Sequence, residues 1–200
     1  MVSVDRNELK LRLSPELPHE QLKWRNDARI WRWCRQNHII TRAQQMEWLD
    51  RIEMDPAIQM FGIDSSKAGL VGTCGLTGIN TYHRTAEFSL FIGPEYHGHG
   101  YSRPSLVLLL DYGFNRMNLK CIYGEVIAGN PALSLFLSVG FREEGIHHCR
   151  YFKHGKYHDA VSISITDGEY RKRGIYETVF DDSIDAGDGW HVIRMVDKDR

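Results

Sequence analysis

One stretch constrains the fold of this chain more than any other. Residues 85–116, TAEFSLFIGPEYHGHGYSRPSLVLLLDYGFNR, run from a strand-like pattern through a glycine-broken loop into an apolar helix. That order builds an anion site. Gly98 and Gly100 let the backbone turn tightly with no Cβ in the way, so several N–H groups can converge on one anion. The helix that follows adds its unpaired first-turn N–H groups and the positive end of its dipole. Pro104 suits the first turn of such a helix, Ser102 is the expected N-cap, and Arg103 can add charge to the same site. Two familiar phosphate loops do not fit. A Walker A loop ends in Gly-Lys-Ser/Thr, whereas Gly100 is followed by Tyr101 and Ser102, and the dinucleotide fingerprint needs a third glycine where Arg103 stands.

The rest of the chain reads as mixed strands and helices. Leu9, Leu11 and Leu13 alternate with polar positions, the signature of a half-buried strand. Two short helical patterns lie around 19–35, and Thr41 with Gln44 three residues on forms a capping box for another helix. Residues 58–63 and 68–79 predict a hairpin about Ser65-Ser66-Lys67, and 85–93 the next strand. Helix 102–116, strand 119–127, helix 131–138 and two strands split at His154-Gly155-Lys156 follow. One α/β sheet accommodates this order, and 200 residues suffice for such a domain plus an appendage. The net charge of −1 argues against nucleic acid as a partner, because counterion release rewards clustered Lys and Arg. No apolar run approaches the about 18 residues of a membrane span. The N-terminus MVSVDRNELK has no signal-peptide core, so a cytoplasmic protein is expected. Cys34, Cys74, Cys121 and Cys149 lie far apart without ligand spacing and read as reduced, partly buried thiols.

The loop His97-Gly98-His99-Gly100-Tyr101-Ser102 resembles motif A of the GNAT acyltransferases, Gln/Arg-x-x-Gly-x-Gly/Ala, with His97 in place of the first residue and Ser102 in place of the last. Three further segments carry the resemblance. AEFSLFIGPEY (86–96) looks like the family's fourth strand and its turn. IYGEVIAGNPALSLFLSVGF (122–141) resembles the fifth strand, an Asn, a short helix and a closing Gly-Phe. FREEGIHHCRYFKHGKYHDAVSISI (141–165) resembles the terminal hairpin, with Gly155, Tyr157 and Asp159 in a Gly-x-Tyr-x-Asp pattern. The resemblance implies an α/β fold with a mixed, largely antiparallel central sheet, flanking helices and a splayed strand pair that holds acyl-CoA. It implies a GNAT domain over residues 1–166, followed by an acidic extension over 167–200.

What the family does then supplies the expected chemistry. Acetyl-CoA is the donor and an amine the acceptor. The carbonyl of the donor is met by a backbone N–H on the fourth strand, here near Phe91 or Ile92, in the manner of an oxyanion hole. The CoA pyrophosphate is expected on His97, Gly98, His99, Gly100, Tyr101, Ser102 and Arg103, with Asn130 and Phe136 also against the cofactor. Glu87 is the first choice for general base and Glu125 the second. Relatives place a proton-donating Tyr where this chain has Phe136, and Asn130 lies one residue closer to Phe141 than is usual. The acid therefore lies elsewhere, with Tyr101, Ser134, Tyr151 and Tyr157 as candidates, or the thiolate leaves unaided.

For the acceptor, Trp24-Arg25-Asn26, Trp31, Trp33, Ile40-Thr41, Gln45 and Trp48 look like the branch that includes amino-sugar and ribosomal-protein amino-terminal acetyltransferases. Arg25, Asn26, Trp31, Trp33 and His148 are the expected acceptor contacts, although Trp24 and Trp48 also read as core residues. Trp31 and Trp33 cannot both face inward on one helix. The expected function is acetyl transfer to a primary amine of a small molecule such as a nucleotide-linked amino sugar. A protein amino terminus as acceptor and an inactive acyl-CoA-binding module are the alternatives. The ten histidines include His97-x-His99, His147-His148 and His154-x3-His158 but no metal-binding spacing, so no metal is expected. Residues 181–188 read as an acidic linker. Trp190, Val192, Ile193 and Val196 beyond it offer apolar surface for a homodimer or other partner, or for a strand folded back on its own domain.

Overall fold

The computed structural model describes residues 9–13, 18–65, 67–173, 176–180 and 190–197. Strands β1 (Leu9–Leu13), β2 (Gln59–Ser65), β3 (Gly69–Asn80), β4 (Thr85–Ile92), β5 (Cys121–Ile127), β6 (Arg142–Lys153), β7 (Lys156–Thr166), β8 (Tyr176–Phe180) and β9 (Trp190–Asp197) make one sheet among the described residues, in the order β6-β7-β5-β4-β3-β2-β1-β9-β8. Every contact between neighbours is antiparallel except β4 with β5. Helices α1 (Pro18–Arg25), α2 (Ala28–Trp31), α3 (Arg42–Met54), α4 (Ser102–Asp111), α5 (Ala132–Val139) and α6 (Asp167–Arg173) complete the chain. The expected mixed, largely antiparallel fold is the one observed.

Burial explains the layering. Leu106 to Leu110 of α4 are all fully buried against the centre of the sheet, so this helix is apolar all round rather than on one stripe. It passes into a single π-helical turn, Tyr112–Arg116, instead of continuing as a regular helix to 116. Thr41 and Gln44 make the expected reciprocal capping box at the start of α3. The helical pattern expected around 19–35 is shorter than its sequence suggests, because α2 stops at Trp31 and residues 32–41 have no helical structure.

The tail rejoins the sheet. β9 lies antiparallel on β1, with Leu9 opposite Ile193 and Leu11 opposite His191, and β8 lies on β9. The acidic stretch 181–188, read as a linker, lies outside the described residues.

What positions the site is the one parallel contact. β4 and β5 pair only over Thr85↔Cys121, Ala86↔Ile122 and Glu87↔Tyr123. Beyond that point they diverge while β4 stays on β3 as far as Ile92 and β5 stays on β7 as far as Ile127. The ring of Phe88 lies over Gly124 immediately past the last pair, where a Cβ at position 124 would meet it at 2.6 Å. Phe88 packs in turn on Phe136 and Phe141, with ring centroids 5.0 and 4.9 Å away.

Candidate active site

The splay opens a cleft of about 650 Å³. β4 contributes Leu90, Phe91 and Ile92, the loop after it His97 and Gly98, the start of α4 Ser102, the turn before α5 Asn130, α5 itself Phe136, and the segment after α2 Arg32, Trp33 and Cys34. Burial pushes the Cys34 thiol up, so it stays protonated.

Which backbone groups face the cleft follows from strand alternation. Gly93 N–H donates to Val71 O at 2.8 Å, toward β3. In an antiparallel ladder alternate residues turn their N–H and C=O to the same neighbour, so Phe91 also faces β3 while Leu90 and Ile92 face the gap left by β5. Of the two expected donors, Ile92 therefore has its N–H toward the cleft, and Phe91 does not. Leu90 is a donor that the sequence reading missed, since only the register distinguishes it. Nε2 of His97 lies 2.9 Å from Ile92 O and ties the loop back to the strand.

The loop has the geometry an anion needs. Gly98 and Gly100 sit at φ +81° and +82°, in the left-handed region that L side chains rarely adopt. A Cβ at either would meet nothing within 4 Å, so conformation rather than crowding calls for glycine there. The N-cap of α4 is Tyr101, with no side-chain cap, and Ser102 is the first helical residue rather than the cap. The N–H groups of the first turn thus keep no acceptor within the helix. These residues fit a pyrophosphate: open space, converging donors and a helix dipole. Arg103 is directed elsewhere, donating to Ser138 Oγ at 2.7 Å. His99 is exposed and leans on His97 O and the Tyr101 ring. Asn130 uses its side-chain oxygen to accept from Ala132 N–H at 3.0 Å, starting α5.

The carboxylates lie on the opposite face of the splayed strands from Phe88, since alternate residues point to opposite faces. Glu87 Oε1 accepts from Arg35 Nη2 at 2.6 Å. Glu125 accepts a forked pair from Arg150, at 3.1 Å to each oxygen, and the phenol of Tyr151 at 2.5 Å. Burial pushes the Glu125 carboxyl up, but the hydrogen bonds from Tyr151 and Arg150 outweigh it and hold the group below its ordinary value. Burial and the bond to Glu125 raise Tyr151, which therefore keeps its proton at neutral pH. Arg35 is paired with Glu87 and also feels the charges of Tyr151 and Glu125.

Lys153 ties this face to its roof. The side chain is 4% exposed and donates to the backbone oxygens of Trp31 and Gln36. Its ammonium lies 4.6 Å from the Trp31 ring centroid, and burial lowers its proton affinity. The β6–β7 hairpin is thereby fastened to the segment that carries Trp33 and Cys34 over the cleft.

Several expected acceptor contacts are used otherwise. Asn26 pairs both amide atoms with the backbone of Ile40, at 2.8 and 2.9 Å. Arg25 bonds Gln45 and stacks on Trp48. Arg25 ties the end of α1 to α3, Asn26 ties the next residue to the segment before α3, and neither lines the cleft. Trp31 is covered by Lys153 and His154, leaving Trp33 as the tryptophan at the cleft. Trp24 is buried against Phe91 and Tyr96. His148 is exposed on a bulge of β6, 3.0 Å from Asp159. No cluster of His, Cys, Asp and Glu that could hold a metal occurs among the described residues. None of their helices is long and apolar enough to cross a membrane.

A parallel strand pair that splays beside a glycine loop at a helix N-terminus defines an acyl-CoA-dependent transferase. Residues 9–142 match the acetyltransferase (GNAT) domain family, and the chain belongs to it. It is 37% identical over 120 residues to the spermidine N(1)-acetyltransferase of Vibrio cholerae, covering 60% of this chain and 69% of that one. With the Escherichia coli K12 spermidine N(1)-acetyltransferase it is 32% identical over 148 residues, covering 72% and 78%. The crystal structure of the Vibrio cholerae spermidine N-acetyltransferase with CoA and spermine superposes with a TM-score of 0.79 at 30% identity, covering 82% and 98%. The protein is an N-acetyltransferase that uses acetyl-CoA and acts on a small amine. These relatives are spermidine acetyltransferases, whereas the sequence resemblance pointed to the amino-sugar or ribosomal-protein branch.

Proposed function

We propose that the acceptor is a polyamine of the spermidine class. The observation that carries this is the extent of the likeness to an enzyme crystallised with spermine, which covers 98% of that chain at a TM-score of 0.79. Acetyl-CoA supplies a thioester, whose carbonyl carbon the amine nitrogen attacks and whose C–S bond then breaks. The pyrophosphate lies on the loop 97–102, and the N–H groups of Ile92 and Leu90 face the carbonyl. Glu87 takes the amine's proton. Glu125 is the lesser candidate for that task, because Tyr151 and Arg150 already occupy both of its oxygens. Phe136 has no proton to give. Tyr151 retains one on the acceptor face and is the candidate to return it to the departing thiolate.

A second reading, an amine that also bears phosphate, such as a nucleotide-linked amino sugar, is favoured by one observation. Residues 28–42 contain Arg29, Arg32, Arg35 and Arg42 and no carboxylate. Arg29 and Arg32 line the cleft. Initial rates of CoA release with spermidine, spermine and a nucleotide-linked amino sugar test both readings. A kcat/KM higher for the sugar than for the polyamines refutes the first.

The Vibrio cholerae relative has a dodecameric structure, and we extend self-association to this chain, to be checked by sedimentation. Residues 1–166 are proposed as the catalytic unit. Truncation after Asp167 tests whether it folds and binds acetyl-CoA without β8 and β9.

A further inference from the structure

Arg35 occupies the carboxylate of Glu87. The Glu87 carboxylate is sunk in the face of the sheet, with 18% of its side chain exposed, and the Arg35 guanidinium reaches it from a side chain that is 54% exposed. The same guanidinium is felt by Tyr151 on β6 and Glu125 on β5. Its contact with Glu87 lies at the last paired level of β4 and β5, Glu87↔Tyr123, and Arg35 is next in sequence to Cys34 of the cleft wall.

We infer that Arg35 is an internal stand-in for the acceptor's ammonium group, which displaces it from Glu87 on binding. This rests on the reading of Glu87 as the group that takes the acceptor's proton. A protonated amine brings the same charge and the same kind of donor as the guanidinium, so the exchange trades one ion pair for another. What is given up is a single half-exposed pair, still partly screened by solvent. Two consequences follow for specificity. The carboxylate is engaged until an amine replaces Arg35, and a neutral hydroxyl cannot replace it on equal terms, so amines are selected over alcohols. The long arm of Arg35 bridges from the roof segment to β4, and its fork gives a directional bond that a lysine point charge reproduces only in part.

The test is steady-state kinetics of Arg35→Ala and Arg35→Lys with spermidine and with a nucleotide-linked amino sugar, alongside calorimetry with CoA. Removing the competitor lowers the KM of whichever acceptor the wild type turns over, by about 2- to 5-fold for one solvent-screened ion pair. The CoA affinity stays unchanged, and Arg35→Lys lies between the alanine variant and the wild type. A KM that rises in Arg35→Ala makes Arg35 a substrate anchor and overturns the inference, as does a KM that does not move. The polyamine reading fails separately, if the wild type turns over the sugar and not spermidine. The Glu87 reading fails separately if Glu87→Gln retains full turnover.

Discussion

Gly124→Ala is the sharpest test of how the cleft is held open. The new Cβ would stand 2.6 Å from Cε1 of Phe88, 3.1 Å from Cδ1 and 3.4 Å from Cζ, closer than carbon atoms tolerate. Phe88 has little room to retreat, because Phe136 and Phe141 pack on it and all three rings are buried. Overpacking of this kind costs about 1–3 kcal/mol. For a chain of this length each kcal/mol lowers Tm by about 2–4 °C, so a fall of roughly 2–12 °C is expected. Phe136 also lines the cleft, so part of the strain reaches the cofactor, and the CoA Kd should rise about 3- to 10-fold. Phe88→Leu introduced together with Gly124→Ala relieves the clash. The double variant should be less destabilised than the sum of the single ones, with a coupling of about 1 kcal/mol or more. Thermal unfolding and titration calorimetry with CoA read both effects. A Gly124→Ala protein with unchanged Tm and Kd, or strictly additive single variants, would refute the role given to the Phe88–Gly124 contact.

Three further outcomes are expected. Glu87→Gln keeps the shape and removes the proton acceptor, so turnover should fall by roughly 10²–10⁴ with CoA affinity preserved; wild-type rates at neutral pH would exclude the role. Gly100→Ala forces a side chain into φ +82°, a cost of about 1–2 kcal/mol that should appear as weaker CoA binding, while His99→Ala should be mild; equal, small losses in calorimetry would sink the loop assignment. Glu125 is depressed below its ordinary 4.5, so its stabilising contribution is complete above pH about 4.5 and is lost as pH falls through the lower folded-state value. Glu125→Gln should therefore flatten the acid limb of stability below that pH, and an acid-unfolding curve unchanged in shape would contradict the linkage.

Much of the fold was legible because local pattern and tertiary role coincide. Thr41 and Gln44 cap α3 by contacts three residues apart, and the hairpin break at His154-Gly155-Lys156 falls between β6 and β7 as read. The glycine loop was legible for the same reason, since a left-handed φ at Gly98 and Gly100 is a local property. Ser102 misled, because a good capping residue and the actual cap differ by one position and only the path of the loop into α4 decides between them.

The site's side chains were less legible. Arg25 and Asn26 read as acceptor contacts, yet their partners Gln45 and Ile40 lie 20 and 14 residues away and turn them into struts. Nothing local in Arg35, Arg150 or Lys153 announced that they would reach Glu87, Glu125 and the backbone of Trp31 and Gln36, across 52, 25 and 117 to 122 residues. The sequence by itself determined the order of strand, glycine loop and helix, and with it the family and the donor, because these depend on backbone conformation and near neighbours. The tertiary structure alone decided which of the alternating residues on β4 face the gap, where β4 and β5 part, and which cation sits on which carboxylate. Those are matters of register and long-range charge pairing, set when distant strands come to lie about 5 Å apart and invisible while they are still separated along the chain.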